Sequence, residues 1–216
     1  MATTHPPDPV SAGMRALLAR RARELEGGAA AVGWKVGFNS KAIQEHFGIP
    51  GPVVGYLTDS TVVAVGDEIP IGTWRKPALE VEVAIRVGED GGVSALAPAL
   101  ELVDLDPAIE GIEDILAGNV FHRGVVFGPE CPGADVRNLE VTVDGVDERL
   151  RTTGRLTEAP GTTVEMVRAF LSAHGAALVP GDRIIAGSLI APLAVEPGDA
   201  LTVAFGPLGQ LTARFR

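Results

Sequence analysis

The segment LEVEVAIRV, residues 79–87, constrains the fold of this chain more than any other feature. Apolar and charged residues alternate along it, and successive side chains of a β-strand point to opposite faces of the sheet. One face is therefore apolar, and the other carries the carboxylates of Glu80 and Glu82. The EDGG sequence that follows predicts a turn, so a second strand, ending in PALELVDL, should return beside the first.

These carboxylates predict a metal site. Two like charges on one strand face repel, and burying them without a counter-charge is costly. Glu101, in PALELVDL, supplies a third carboxylate from the returning strand. Three oxygen ligands, with no Cys and no His expected nearby, favour Mg²⁺ or Mn²⁺. The alternative is a simple one, because a Glu-x-Glu pair on an antiparallel sheet is more often its solvated face.

The rest of the chain reads as short strands between a few helices. Helical spacing or capping residues predict helices at 11–26, 40–48, 106–117 and 162–174. Runs of β-forming residues predict strands at 34–38, 53–57, 61–65, 124–128, 183–190 and 200–206, and a hairpin at 139–146. The two PGD phrases, which contain Asp182 and Asp199, are typical of turns. We therefore expect a β-rich α+β fold, a mixed β roll or barrel with peripheral helices.

Composition limits the class of protein. A chain of 216 residues is long enough for one core and short for two enzyme domains, so we expect a flexible N-terminus over 1–10 and one catalytic domain over 11–216. A net charge of −10 argues against nucleic acid and anionic lipid as partners. With one cysteine, no apolar run of membrane-spanning length and no signal sequence, a cytoplasmic location follows by default.

Five motifs in order resemble the fumarylacetoacetate hydrolase superfamily, and most of all its branch of 2-keto-4-pentenoate hydratases and 4-oxalocrotonate decarboxylases. They are WKVGFNSKAIQEHFGI, GYLTD, LEVEVAI, PALELVD and GDRIIAGSL. The resemblance covers the chain from about Ser11 to its end. It implies the fold of that family's C-terminal domain, and a metal site formed by Glu80, Glu82 and Glu101.

The resemblance also implies roles for other residues. Lys35, in the family's Lys-Val-Gly motif, would transfer a proton or hold the anionic substrate. Ser188 would lie near the substrate or a metal-bound water, and Asp59 near the active-site water, although the alignment could shift Asp59 to Ser60. Asn119 occupies a position where the family commonly has Asn, with a C-cap as the alternative. His122 is read as an ordinary core or surface histidine.

In this branch the 2-oxo acid chelates the metal, which acts as a Lewis acid. The implied activity is a metal-dependent hydratase, a lyase that adds water to a 2-hydroxy-2,4-dienoate in catabolism of aromatic compounds. The alternatives are decarboxylation of 4-oxalocrotonate or a related β-keto acid, and a non-catalytic member acting as a binding or structural partner. The resemblance further implies a homo-oligomer that could associate with a decarboxylase or hydratase partner.

The sequence departs from the family pattern in several places. The segment between Glu82 and Glu101 is short and lacks the usual helical insertion, which would leave a more open site. Ala78 replaces a basic residue, EAPGTT replaces the usual Gly-His-Pro phrase before the last helix, and an N-terminal portion of the usual chain is expected to be missing.

Overall fold

The computed structural model describes residues 8–106, 108 and 111–216. Its helices are α1 Pro9–Glu26, α2 Lys41–Phe47, α3 Ile112–Ala117 and α4 Pro160–Ala173. Its first seven strands are β1 Ala31–Gly37, β2 Val53–Thr58, β3 Val62–Val63, β4 Glu68–Ile69, β5 Pro77–Val87, β6 Val93–Asp104 and β7 His122–Phe127. The remaining strands are β8 Glu140–Gly145, β9 Thr152–Arg155, β10 Arg183–Ile185, β11 Leu193–Ala194, β12 Ala200–Ala204 and β13 Gln210–Phe215.

The strands form two sheets, and the fold class predicted from the sequence is confirmed. Seven strands of the larger, eight-stranded sheet lie in the order β2-β1-β10-β5-β6-β7-β3, and β11 pairs with β5 beside them. The smaller sheet has the order β4-β13-β12-β8-β9. Both parallel and antiparallel pairs occur, because β1 runs parallel to β10 whereas β10 and β6 run antiparallel to β5. One apolar cluster contains side chains from both sheets and from α1, α3 and α4.

The hairpin of β5 and β6 is the centre of the larger sheet. Its residues pair from Pro77 with Asp104 to Arg86 with Ala95, and the turn closes where Gly88 N donates to Gly92 O at 2.8 Å. The segment between Glu82 and Glu101 is therefore strand and turn, with no helix.

Several element boundaries differ from the sequence prediction. The first helix starts at Pro9, because Asp8 accepts a hydrogen bond from Ser11 N and Pro is favourable in a first turn. The helix thus includes Pro9 and Val10 of the segment 1–10, for which flexibility stays a prediction; residues 1–7 lie outside the described residues. Likewise, α4 starts at Pro160 rather than at 162.

Other predicted elements are shorter than expected. The described helix before Asn119 covers only Ile112–Ala117, and residues 107, 109 and 110 of its predicted start lie outside the described residues. The strand predicted over 183–190 ends at Ile185, because Gly187 adopts a left-handed conformation with φ 94°. None of the helices in the described residues is both long and apolar enough to cross a membrane.

Candidate active site

Three carboxylates converge on one face of the central hairpin. Glu80 pairs directly with Glu101 across β5 and β6, and Glu82 follows two residues along β5 on the same face. One oxygen from each of the three lies within 4.8 Å of the others. Glu82 and Glu101 are fully buried, whereas Glu80 is partly exposed. The predicted convergence is therefore present, and the alternative of a solvated strand face does not describe this hairpin.

The charges of these carboxylates are poorly compensated by the protein. Burial, together with repulsion from Glu101, raises the pKa of Glu80 to about 7. Burial and the two neighbouring carboxylates raise the pKa of Glu82 well above its ordinary value. Glu82 Oε1 and Glu101 Oε2 are buried and have no hydrogen-bond partner among the described residues. Unpartnered buried carboxylate oxygens are costly in a folded protein, and a hard cation would satisfy them.

Lys35 supplies one positive charge to this cluster. Its side chain is buried in β1, with Nζ 2.5 Å from Glu101 Oε1, and Nζ donates to Val120 O at 2.9 Å. Burial acts to raise the pKa of Glu101, but the ammonium of Lys35 and the hydrogen bond from His122 outweigh it, so this pKa is lowered. One ammonium facing three carboxylates leaves the cluster with excess negative charge.

His122 contacts a carboxylate of the site, which corrects one expectation from the sequence. It is buried at the start of β7, with Nδ1 2.8 Å from Glu101 Oε1 and Nε2 3.0 Å from Thr61 Oγ1. Burial lowers the pKa of His122. The expectation of no histidine near the carboxylates was wrong, because β7 pairs with β6. His122 is nevertheless a core histidine, one of the two positions expected for it. The sequence held one usable signal, namely a polar residue at the start of an apolar strand.

Ser188 lines the same small cavity as Glu80, and its expected place near the substrate or a metal-bound water stays a prediction. Gly187 N donates to Glu82 Oε2 at 2.8 Å, and this contact brings the next residue to the cluster. The Ser188 hydroxyl is buried and has no hydrogen-bond partner among the described residues. It lines a cavity of about 50 Å³ together with Lys35 and Glu80.

A larger cavity of about 320 Å³ adjoins the small one. Both cavities are lined by Val36, Asn39 and Ser188, and the larger one also contacts Lys41 and the first turns of α4. A small organic acid could therefore place its head beside Glu80 and Lys35 and its remainder in the larger space.

Asp59 lies elsewhere. It is exposed in a short 3₁₀ turn after β2, where its Oδ1 accepts a hydrogen bond from Ala30 N at 2.8 Å. It lines a surface depression with Glu24 and Ser60, and it does not line the cavity that contains Lys35. Its neighbour Ser60 bonds to Thr58 through their hydroxyls at 2.8 Å. The geometry gives Asp59 a turn-stabilising contact, and its catalytic role stays a prediction without support from this arrangement.

Comparison with known proteins identifies the family. The fumarylacetoacetate (FAA) hydrolase C-terminal family matches residues 29–216, which is most of the chain. The chain belongs to this family. Among characterised members, a 4-oxalocrotonate decarboxylase of Pseudomonas sp is 30% identical over 214 residues, covering 92% of this chain and 82% of the relative. The 2-oxo-hept-4-ene-1,7-dioate hydratase of Escherichia coli is 27% identical over 208 residues, covering 85% and 78%.

Solved structures of the FAA hydrolase family have the same fold. The 4-oxalocrotonate decarboxylase from Pseudomonas putida G7, complexed with magnesium and adipate, superposes with a TM-score of 0.85 at 22% identity. The match covers 94% of this chain and 85% of that one. The resemblance predicted from the five motifs is thereby confirmed at the level of family and fold.

Proposed function

We propose that this protein is a divalent-metal-dependent lyase that acts on a small 2-oxo acid. The reaction we put first is addition of water to a 2-hydroxy-2,4-dienoate of the 2-keto-4-pentenoate type, in catabolism of aromatic compounds. The observation that carries the proposal is the convergence of Glu80, Glu82 and Glu101, with two buried oxygens lacking a partner in the described residues, beside a small cavity.

The residues fit a hard divalent cation. Glu80, Glu82 and Glu101 would hold Mg²⁺ or Mn²⁺, because all three donors are oxygens and because a cation would satisfy Glu82 Oε1 and Glu101 Oε2. When bound, such an ion supplies a Lewis acid for the keto and carboxylate oxygens of a 2-oxo acid. The decarboxylase from Pseudomonas putida G7, which has the same fold, is complexed with magnesium and the dicarboxylate adipate, and this supports the choice.

The side chains around the carboxylates would do the rest of the chemistry. Conversion of a dienol to an unsaturated ketone requires a proton at carbon, and Lys35 Nζ lies at the wall of the cavity where it can carry that proton or hold an anionic head group. The Ser188 hydroxyl, which has no hydrogen-bond partner in the part of the chain that the structure describes, can donate to a substrate carboxylate. His122 fixes the orientation of Glu101.

Decarboxylation of 4-oxalocrotonate or a related β-keto acid is the second candidate. It is favoured by the 30% identity to a 4-oxalocrotonate decarboxylase, and loss of CO₂ needs the same stabilisation of negative charge on the 2-oxo acid. The expected homo-oligomer and the expected association with a partner enzyme stay predictions.

A direct assay separates these functions. Chelator-treated protein receives Mg²⁺ or Mn²⁺ and either a 2-hydroxy-2,4-dienoate or 4-oxalocrotonate, while dienol absorbance and CO₂ are followed together. We expect metal-dependent loss of the dienol without CO₂. Release of CO₂ in proportion to turnover would replace the hydratase with the decarboxylase. Absence of turnover with every metal and both substrates would contradict an enzymatic role. The remaining alternative would then be a non-catalytic protein that acts as a binding or structural partner.

One substitution tests the site itself. Glu82→Gln keeps the size of a buried side chain but removes a charged ligand, so we expect metal-dependent turnover to fall by about a hundredfold or more. Glu45→Gln, at an exposed position of α2, is the matched control and should keep wild-type turnover. Equal turnover in both variants would show that Glu82 holds no metal needed for the reaction.

A further inference from the structure

The segment Asn119–Phe121, which joins α3 to β7, has an uncommon backbone. Its three residues have φ values of 64°, 53° and 63°, which lie in the left-handed region that L-residues other than Gly seldom occupy in succession. Val120 is the least expected of them because it is β-branched. Consecutive left-handed residues of this kind persist only when surrounding contacts enforce them. The contacts that hold this segment therefore show what its conformation serves.

The side chain of Asn119 holds this segment against β2. Its Oδ1 accepts a hydrogen bond from Tyr56 N at 2.9 Å, and its Nδ2 donates to Tyr56 O at 3.0 Å. Asn119 therefore binds both backbone groups of one strand residue, as a neighbouring strand would. Asn119 is buried, and Gly55 leaves the space it needs, because a Cβ on Gly55 would lie 2.7 Å from Asn119 Oδ1. Asn119 also ends α3, as considered from the sequence: it is the left-handed residue after the C-cap Gly118, its N–H donates to Leu116 O at 2.8 Å, and Val120 N donates to Ile115 O at 2.8 Å.

The segment places three successive groups in the candidate active site. Val120 O accepts the hydrogen bond from Lys35 Nζ at 2.9 Å. Phe121 lines the small cavity. His122, the next residue, contacts Glu101 at 2.8 Å. Both members of the Lys35 and Glu101 ion pair are thus held by one short stretch of chain.

We propose that Asn119 is a positioning residue, whose clamp on Tyr56 fixes the left-handed segment so that Val120 O holds the Lys35 ammonium at the wall of the cavity. The catalytic part of this inference rests on the proposed function of Lys35. The structural part does not, because Lys35 is anchored by Val120 O whatever the reaction is.

The variant Asn119→Gly isolates the clamp. Glycine accepts the left-handed conformation without strain. The substitution therefore removes both hydrogen bonds to Tyr56 without adding a steric clash in the backbone. Asn119→Asp keeps an acceptor for Tyr56 N and serves as the conservative variant. Asn138→Ala, at an exposed position, is the control. Melting curves establish that each variant is folded before it is compared.

The first measurement does not depend on activity. The chain has three lysines, Lys35, Lys41 and Lys76, so acylation by a small anhydride can be followed at each by mass spectrometry. Lys35 is buried and Lys41 exposed, so Lys35 should react at least about tenfold more slowly in the wild type. We expect Asn119→Gly to speed labelling of Lys35 at least about fivefold and to leave Lys41 unchanged. Unchanged labelling of Lys35 in a folded variant would overturn the clamp.

The second measurement tests whether Asn119 acts through Lys35. Asn119→Gly should lower kcat at least about tenfold, and Asn119→Asp should lower it less because Asp keeps one of the two contacts with Tyr56. In a Lys35→Met background the same change should alter kcat/KM by less than about twofold. If Asn119→Gly lowered kcat/KM in the Lys35→Met background by the same factor as in the wild type, action through Lys35 would be overturned. Inactive wild-type protein would count against the proposed function, and labelling would still decide the clamp.

Discussion

Glu101 is the residue at which the charges of the site meet. Its Oε1 contacts both Lys35 and His122, while Oε2 has no partner among the described residues. Glu82, two positions from the residue that pairs with Glu101, has no such cation and keeps one unpartnered oxygen. The pKa of Glu101 is accordingly lowered and that of Glu82 raised. These two glutamates, which lie on neighbouring strands, therefore differ in pKa because their carboxylates contact different groups.

Metal-free protein should lose stability as the pH rises toward 7. The pKa of Glu80 is raised from 4.5 to about 7, so between these pH values the folded state binds more protons than the unfolded state, and stability falls as they dissociate. His122, whose pKa is lowered by burial, acts in the opposite sense near its ordinary value. The informative quantity is therefore a difference between wild type and a variant.

The comparison is the melting temperature of chelator-treated wild type and Glu80→Gln from pH 5 to pH 8. The advantage of the variant, meaning the melting temperature of Glu80→Gln minus that of the wild type, should grow with pH and level off above about pH 7. Saturating Mn²⁺ should reduce it, since a cation offsets the charge of the carboxylates. An advantage that shrinks as the pH rises would contradict the raised pKa of Glu80.

Residue types predicted some of these contacts and not others. The period of two along β5 predicted that Glu80 and Glu82 share a face, and the following turn predicted that Glu101 returns to them. Nothing local connected His122 to Glu101, because that contact depends on β7 pairing with β6. A helix end at Asn119 was considered from the sequence, but the left-handed conformation of the next two residues was hidden, since Val and Phe disfavour it.

At the scale of elements, β1 depends on one close backbone approach. Gly33 has φ 150° beside a register shift in the pairing of β1 with β2. A Cβ at Gly33 would lie 1.9 Å from Arg183 O and 2.6 Å from Arg183 N on β10. These are backbone atoms, which cannot move aside as a side chain end can. The parallel pair of β1 and β10, which places Lys35 opposite Ile185, therefore requires glycine here.

Gly33→Ala should destabilise the protein by roughly 3 kcal/mol, from overpacking added to an unfavourable φ. The measurement is the urea midpoint at constant m-value. Gly51→Ala is the matched control, because a Cβ there meets no atom within 4 Å and its φ is not positive; it should change stability by less than about 0.5 kcal/mol. Similar midpoints for both variants would show that β1 can move away from β10.

Sequence patterns predicted the long elements better than the arrangement of the strands. The predicted turn roles of Asp182 and Asp199 match hydrogen bonds from Val179 N and Glu196 N. The strands β4, β9 and β11 were missed because two to four residues beside loops carry little periodicity. The strand β13 was also missed, although polar and apolar residues alternate along its six positions. The order of the larger sheet joins residues as distant as Trp34 and Ile184, and such long-range pairing leaves no local pattern.

At the scale of the whole molecule, the site draws on distant parts of the chain. Its residues lie on β1, β5, β6, β7 and the loop after β10, so the arrangement exists only when the larger sheet is assembled. The smaller sheet contributes to the same apolar core and supports that sheet. A ligand that requires all these elements binds the folded state and hardly the unfolded one, so its binding energy adds to the stability of the whole domain.

Metal binding should therefore raise the unfolding temperature of the entire domain. At a free metal concentration of 100 Kd the expected gain is about 2.7 kcal/mol, which corresponds to roughly 5–10 °C for a domain of this size. Glu82→Gln should lose most of this increment, and Glu89→Gln, in the exposed turn of the same hairpin, should keep it. Differential scanning calorimetry with Mg²⁺, Mn²⁺ and excess chelator measures each increment. Equal increments in the two variants would mean that the cation binds surface carboxylates, since only one of these substitutions alters the buried cluster.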